Sequence, residues 1–140
     1  MLLKIEIDVE DAFEMLDSVA AVLTSDLASA AGAFALDRIL QRTLSGKDVN
    51  DIAFTPYSAA YARKKGGKVN LSASGEMLGS IDFQSGSSTE TTITCDSDIA
   101  GYHEDGTPDM PQRQFMGLSD EDVDEMMEEI FMGPLTELIG

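Results

Sequence analysis

Apolar and polar residues alternate at the start of the chain, with Leu3, Ile5, Ile7 and Val9 on one side and Lys4, Glu6 and Asp8 on the other. That is the period of a strand with one buried face. From Glu10 the period lengthens. Phe13, Leu16, Ala20 and Leu23 recur at helical spacing while Asp11, Glu14 and Asp17 take the opposite side, which predicts a helix to about Leu23. Thr24, Ser25 and Asp26 then offer N-cap side chains, and Leu27, Ala31, Phe34, Ala35, Ile39 and Leu40 carry a helical stripe on to Leu44 before Ser45-Gly46. The pattern fits a second long helix, or a single one that bends at the caps. The many alanines and Gly32 predict close packing of backbone against backbone.

Lys47 to Phe54 is polar and runs into Thr55-Pro56, which reads as a loop. Ser58 is placed to cap a short helix from Ala59 to Lys65 that ends at Gly66-Gly67. Gly66 to Ser74 has few large apolar residues and no period, so it is expected to be a mobile loop or one ordered by a partner. After a capped turn at Ser74 to Leu78, Ile81 and Phe83 alternate with Asp82 and Gln84. Thr91, Ile93 and Cys95 then alternate with Thr92 and Thr94, which predicts a hairpin across Gly86-Ser87-Ser88. Ile99 to His103 reads as a short helix and Gln112 to Leu118 as an extended segment carrying Phe115. Ser119 is a good N-cap for a last helix with Asp120, Glu121 and Asp122 in its first turn. Its apolar stripe is Val123, Met126, Met127, Ile130 and Phe131, stopped by Gly133-Pro134.

The expectation is one α+β domain over residues 1–140: long N-terminal helices packed on a small, mostly antiparallel β-sheet, with a C-terminal amphipathic helix. There is no internal repeat and no low-complexity linker to divide it. A chain of 140 residues can bury a core without staples. The single Cys95 can form neither an internal disulfide nor a redox pair. The acidic, alternating N-terminus is unlike a secretory signal, and the apolar stretch from Val19 to Leu40 is broken by Asp26, Asp37 and Arg38, so no membrane segment is expected.

Charge narrows the functions further. Nine basic residues against 26 acidic ones leave a net charge of −17, which repels a phosphate backbone. His103 is the only histidine, and its neighbours do not form a zinc-protease pair, so it reads as a surface or interface residue. No nucleophile elbow, phosphate loop or dinucleotide turn is present. The acids of Asp120 to Glu129 follow a helical period rather than a calcium-loop pattern and read as a solvated face. No catalytic residue, metal or cofactor is assigned.

The scarce cations are more informative, because Arg63, Lys64, Lys65 and Lys68 hold four of the nine. They read either as a solvated loop or as half of a contact with acids. In the second case they meet Asp120, Glu121 and Asp124 of the next subunit, a head-to-tail contact of the kind that closes rings. Met116, among several methionines near the C-terminus, suits an adaptable interface, while core packing is the expected use of Met126 and Met127.

Three segments, taken in order, resemble the phage virion morphogenesis family, the Mu-like tail-completion proteins of contractile-tailed phages. Phe54-Thr55-Pro56-Tyr57-Ser58 followed by Lys64-Lys65 is similar to that family's aromatic-x-Pro-Leu-Ser before a basic helix. Leu71 through Gly75, Met77-Leu78 and Ser80-Ile81 resemble its Leu-x-x-Thr-Gly-x-Leu-x-x-Ser-Ile block. Tyr102 to Thr107, and then Pro111-Gln112-Arg113-Gln114-Phe115-Met116-Gly117-Leu118-Ser119-Asp120, resemble its Tyr-x-x-x-His-x-x-Gly block and its closing Pro-Ala-Arg-Pro-Phe-Leu-Gly-Leu-Ser. The departures are Gln114 in place of Pro, Phe54 in place of Trp, and a shortened spacing before Gly106.

The resemblance implies a non-enzymatic virion protein of the head–tail neck or head-proximal tail end, in the virion once built and in the host cytoplasm during assembly. Its partners would be itself, as a ring of most plausibly six copies, the adjacent neck or connector and tail terminator or tail tube proteins, and DNA passing through the lumen without specific binding. Arg113 and Phe115 are expected to anchor the extended segment at a subunit interface or under the terminal helix. The competing readings are a neighbouring tail terminator, an acidic DNA-mimic inhibitor, and, last, a hydrolase using His103.

Overall fold

The computed structural model describes residues 2–8, 17–65, 69, 71, 75–85 and 90–132. The fold is α+β, and its described part holds a three-stranded antiparallel sheet and five α-helices. The strands are β1 (Leu2–Asp8), β2 (Ile81–Ser85) and β3 (Glu90–Asp96), in the order β1-β3-β2. The run of threonines and Ile93 takes the central position, where β-branched side chains pack well on a pleated surface. Register aligns Leu3 and Ile81 with Cys95, and Ile5 and Phe83 with Ile93, so all three strands turn one apolar row to the same side. Lys4, Glu6, Asp82 and Gln84 stand exposed on the other.

Helix α1 (Asp17–Leu44) lies over the apolar face. It continues through Thr24, Ser25 and Asp26 without a break, so the predicted second start is not used. Cap-forming side chains favour a helix end only weakly, and the packed residues from Leu27 onward extend the helix through them. The part of the expected first helix between Glu10 and Leu16 lies outside the described residues. Ala35 and Ile39 are buried against the sheet with Ile93, Cys95 and Phe115. Gly32 sets the distance between the layers, since a Cβ there would come within 2.5 Å of Phe83 Cδ2 and 2.7 Å of Thr91 Oγ1.

Helices α2 (Ala59–Lys65), α3 (Glu76–Gly79) and α4 (Asp98–Asp105) are short. Ser58 Oγ accepts the Tyr61 N–H at 3.3 Å, the cap expected for α2. The stretch from Gly66 to Ser74 requires a correction at its two described residues. Val69 is half-buried and Leu71 belongs to the core, its backbone at φ 55° and its N–H donated to the Tyr57 hydroxyl. A lone leucine among glycines and serines carries no period, yet it packs into the core.

Helix α5 (Asp120–Met126) passes into a π-helical stretch, Met127–Met132. Ser119 and Asp122 form a reciprocal capping box at its start. Met126, Met127 and Ile130 pack on Leu27, Ala31 and Phe34 of α1, forming a second cluster on the flank of the long helix. Val123, expected in that stripe, is 38% exposed, so the buried seam is narrower than the sequence period suggests. Phe131's side chain and the stop at Gly133-Pro134 lie outside the described residues. No helix among those residues is long and apolar enough to cross a membrane.

Candidate functional site

Two arginines are buried at opposite ends of the Gln112–Leu118 segment, and they are held differently. Arg42 leaves the last turn of α1 and is 6% exposed. Its Nη1 donates to Asp122 Oδ2 at 2.7 Å, and its Nη2 to the carbonyls of Phe115 at 2.9 Å and Gly117 at 2.8 Å. Asp122 also accepts the Ser119 N–H at 3.0 Å and Arg38 Nη1 at 3.2 Å, so one carboxylate holds the helix cap and both arginines. Arg38, half-buried over the Phe34 ring, reaches Glu125 as well. The Glu125 hydrogen bond raises the Arg38 pKa, whereas burial lowers that of Arg42 against the opposing pull of Asp122.

Arg113 is 4% exposed and pairs with no carboxylate among the described residues. Its Nε donates to the Thr55 carbonyl at 2.8 Å and its Nη2 to that of Pro56 at 3.1 Å, while the guanidinium stacks over Tyr57 with 4.8 Å to the ring centroid. Its backbone N–H donates to the His103 carbonyl at 2.6 Å. Burial lowers its pKa, and only the hydroxyls of Tyr57 and Tyr61 act the other way. Arg113 forms the inner wall of a cleft of about 420 Å³ whose other walls come from α2, the Leu71 turn, α3, α4 and the Asp109–Pro111 loop.

Glu104, next in sequence to His103, accepts the N–H groups of Phe115 and Met116, each at 3.1 Å, and burial raises its pKa. His103 is 8% exposed and lines the cleft, so the surface position expected for it is corrected. Cys95 is buried, and burial pushes its thiol up, opposite to what a nucleophile requires. Among the described residues no group of three His, Cys, Asp or Glu side chains could hold a metal ion.

The residues singled out from sequence separate into two sets. Arg63 and Lys64 stand exposed on α2, and Asp120, Glu121 and Asp124 stand exposed on α5. Lys65's side chain and Lys68 lie outside what is described. Arg113, Phe115 and Met116, expected at a subunit interface or, for the first two, under the terminal helix, are buried within their own chain. Phe115 packs in the core beneath α1, and the anchoring is intramolecular because loop carbonyls and the core already occupy these side chains. The residues that sequence reasoning missed are Arg38, Arg42, Asp122, Tyr57 and Tyr61. The available signal was the i, i+4 spacing of the two arginines on one helix face, facing an N3 acid behind a serine cap. In comparison with known proteins, the chain matches no family model, no curated protein and no solved structure.

Proposed function

We propose that this protein is a non-enzymatic structural subunit of a tailed-phage virion, forming a homo-oligomeric ring, a hexamer, at the head–tail neck or the head-proximal tail end. It would act there in tail completion and head–tail joining, beside connector, tail terminator or tail tube proteins. The observation that carries this reading is the convergence of the three sequence blocks that resemble the phage virion morphogenesis family. Arg113 of the third block holds the Thr55 and Pro56 carbonyls of the first, and Leu71 and Met77 of the second line the same cleft as Tyr57, His103 and Arg113. Segments far apart in sequence thus form one physical unit, as expected of motifs that specify a fold together. In this reading long N-terminal helices on the small sheet, with an amphipathic C-terminal helix, make the body of the subunit.

Charge supports the ring. Exposed Arg63 and Lys64 on α2 and exposed Asp120, Glu121 and Asp124 on α5 are complementary patches of one chain, and pairing them between copies gives a head-to-tail contact, the kind from which rings are built. An acidic lumen would let DNA pass without adhering. Light scattering across protein and salt concentration tests this. The expected result is a discrete ring, alone or on addition of tail components. Arg63→Glu with Lys64→Glu should break that ring, and Asp120→Lys with Glu121→Lys should restore it. A monomer that never assembles on virion parts would overturn the reading and favour an acidic inhibitor.

A further inference from the structure

The cleft around Arg113 holds a cation that no carboxylate among the described residues pairs with. In a protein with 26 acidic residues this is not for want of carboxylates. Asp109 lies on the lining, yet no ion pair joins it to Arg113. Arg113 spends Nε and Nη2 on two carbonyls and its ring contact on Tyr57, while Nη1 finds no acceptor among the described residues. A guanidinium stays charged in such surroundings, so its lost hydration is only partly replaced. An arriving carboxylate would complete it, and the apolar walls would strengthen the pair by keeping water out.

The walls indicate how large the arriving group is. Met77 is buried at the back, while Tyr61 and Ile99 at the lips are large side chains 41% and 51% exposed. Tyr61 stacks edge-on against Tyr57 with centroids 4.7 Å apart, which fixes the aromatic side of the groove. Lys64, one helical turn on from Tyr61, adds positive charge on the same side of α2. A buried arginine ringed by tyrosine and methionine, with apolar surface continuing past the lip, has the make-up of a protein contact centre. A small carboxylate would leave much of the cleft, and that surface, bare.

We propose that this cleft is a docking groove for an acidic peptide segment of a partner protein, one in which a glutamate or aspartate sits between apolar side chains and pairs with Arg113. This goes beyond the ring reading and does not depend on it, since binding is read on the protein in whatever assembly state it has.

The test uses fluorescence anisotropy with a labelled, end-blocked peptide whose core is leucine-glutamate-leucine-isoleucine, beside the same peptide with glutamine for glutamate. The glutamate peptide should bind about tenfold more tightly than the glutamine one. Tyr61→Ser, at an exposed lip position that leaves the core untouched, should weaken it about tenfold. Asp109→Asn removes the one carboxylate among the described lining residues and should tighten it about threefold. Absence of binding, or equal affinity for the two peptides, would overturn the proposal. So would displacement of the peptide by hexanoate at the concentrations at which unlabelled peptide displaces it, because the site would then be one for small carboxylates.

Discussion

Arg42 and Arg113 are buried to nearly the same degree and both brace carbonyls of loop residues, yet among the described residues Arg42 alone of the two is paired with an anion. Around Arg42 the charges close on themselves: Asp122 caps α5, neutralises Arg42 and is shared with Arg38. That arrangement ties the end of α1 to the start of α5 and gives each of the two arginines a carboxylate. Around Arg113 the acceptors among the described residues are backbone carbonyls, and the side chain borders a cleft. The same residue type at similar burial therefore does two kinds of work, and the counter-ion rather than the burial tells them apart.

The largest effect should come from breaking the closed site. Asp122→Ala removes the carboxylate from a buried arginine and deletes half of the capping box, and it should cost about 3–5 kcal/mol in urea unfolding. A loss near zero would mean that Arg42 finds water and that the site is not closed. Arg113→Ala should cost less, about 2–3 kcal/mol, because it frees two carbonyls but strands no charge. If the two substitutions cost the same, the counter-ion does not distinguish the sites and the comparison fails.

Much of the fold is legible in the sequence, because its signals are local and periodic. Thr91, Ile93 and Cys95 show the buried side of β3 by alternation, and Ser58 and Ser119 mark helix starts, whereas Gly32, expected to bring backbone against backbone, is closed on by side chains, the Phe83 ring and the Thr91 hydroxyl. The site is not legible in the same way. Arg38 and Arg42 read as ordinary solvated charges on a helix until a carboxylate 80 residues away in sequence is brought against Arg42 by the second cluster. Arg113 stands out in its sequence block, but whether its partner is an acid, a carbonyl or another chain depends on where Thr55 and Pro56 lie. Leu71 is similar, because no pattern of neighbours announces that one leucine turns into the core. Periodicity reports which face is buried and is silent about which polar groups meet across the fold.

The smallest effect sharpens the comparison at Glu104, whose Oε2 accepts the N–H groups of Phe115 and Met116 between the two arginine sites. Burial raises its pKa above the ordinary 4.5, with the two N–H donors pulling down, Asp105 pushing up and Arg42 pulling down from further off. A carboxyl whose folded pKa lies above its unfolded one binds its proton more tightly when folded. The stability it contributes is therefore fully present below the unfolded value and is lost as pH rises through the folded value. Glu104→Gln keeps an oxygen for the two N–H groups and has nothing to titrate. Urea midpoints at pH values below and well above 4.5 should thus shift in favour of the variant as pH rises, by less than about 1 kcal/mol because the group is only half-buried. A shift the other way would mean that the N–H donors outweigh burial. Glu104 would then be an anion the fold favours, and the extended segment would carry a stabilised negative charge between its two arginines, leaving Arg113 less in need of one from outside.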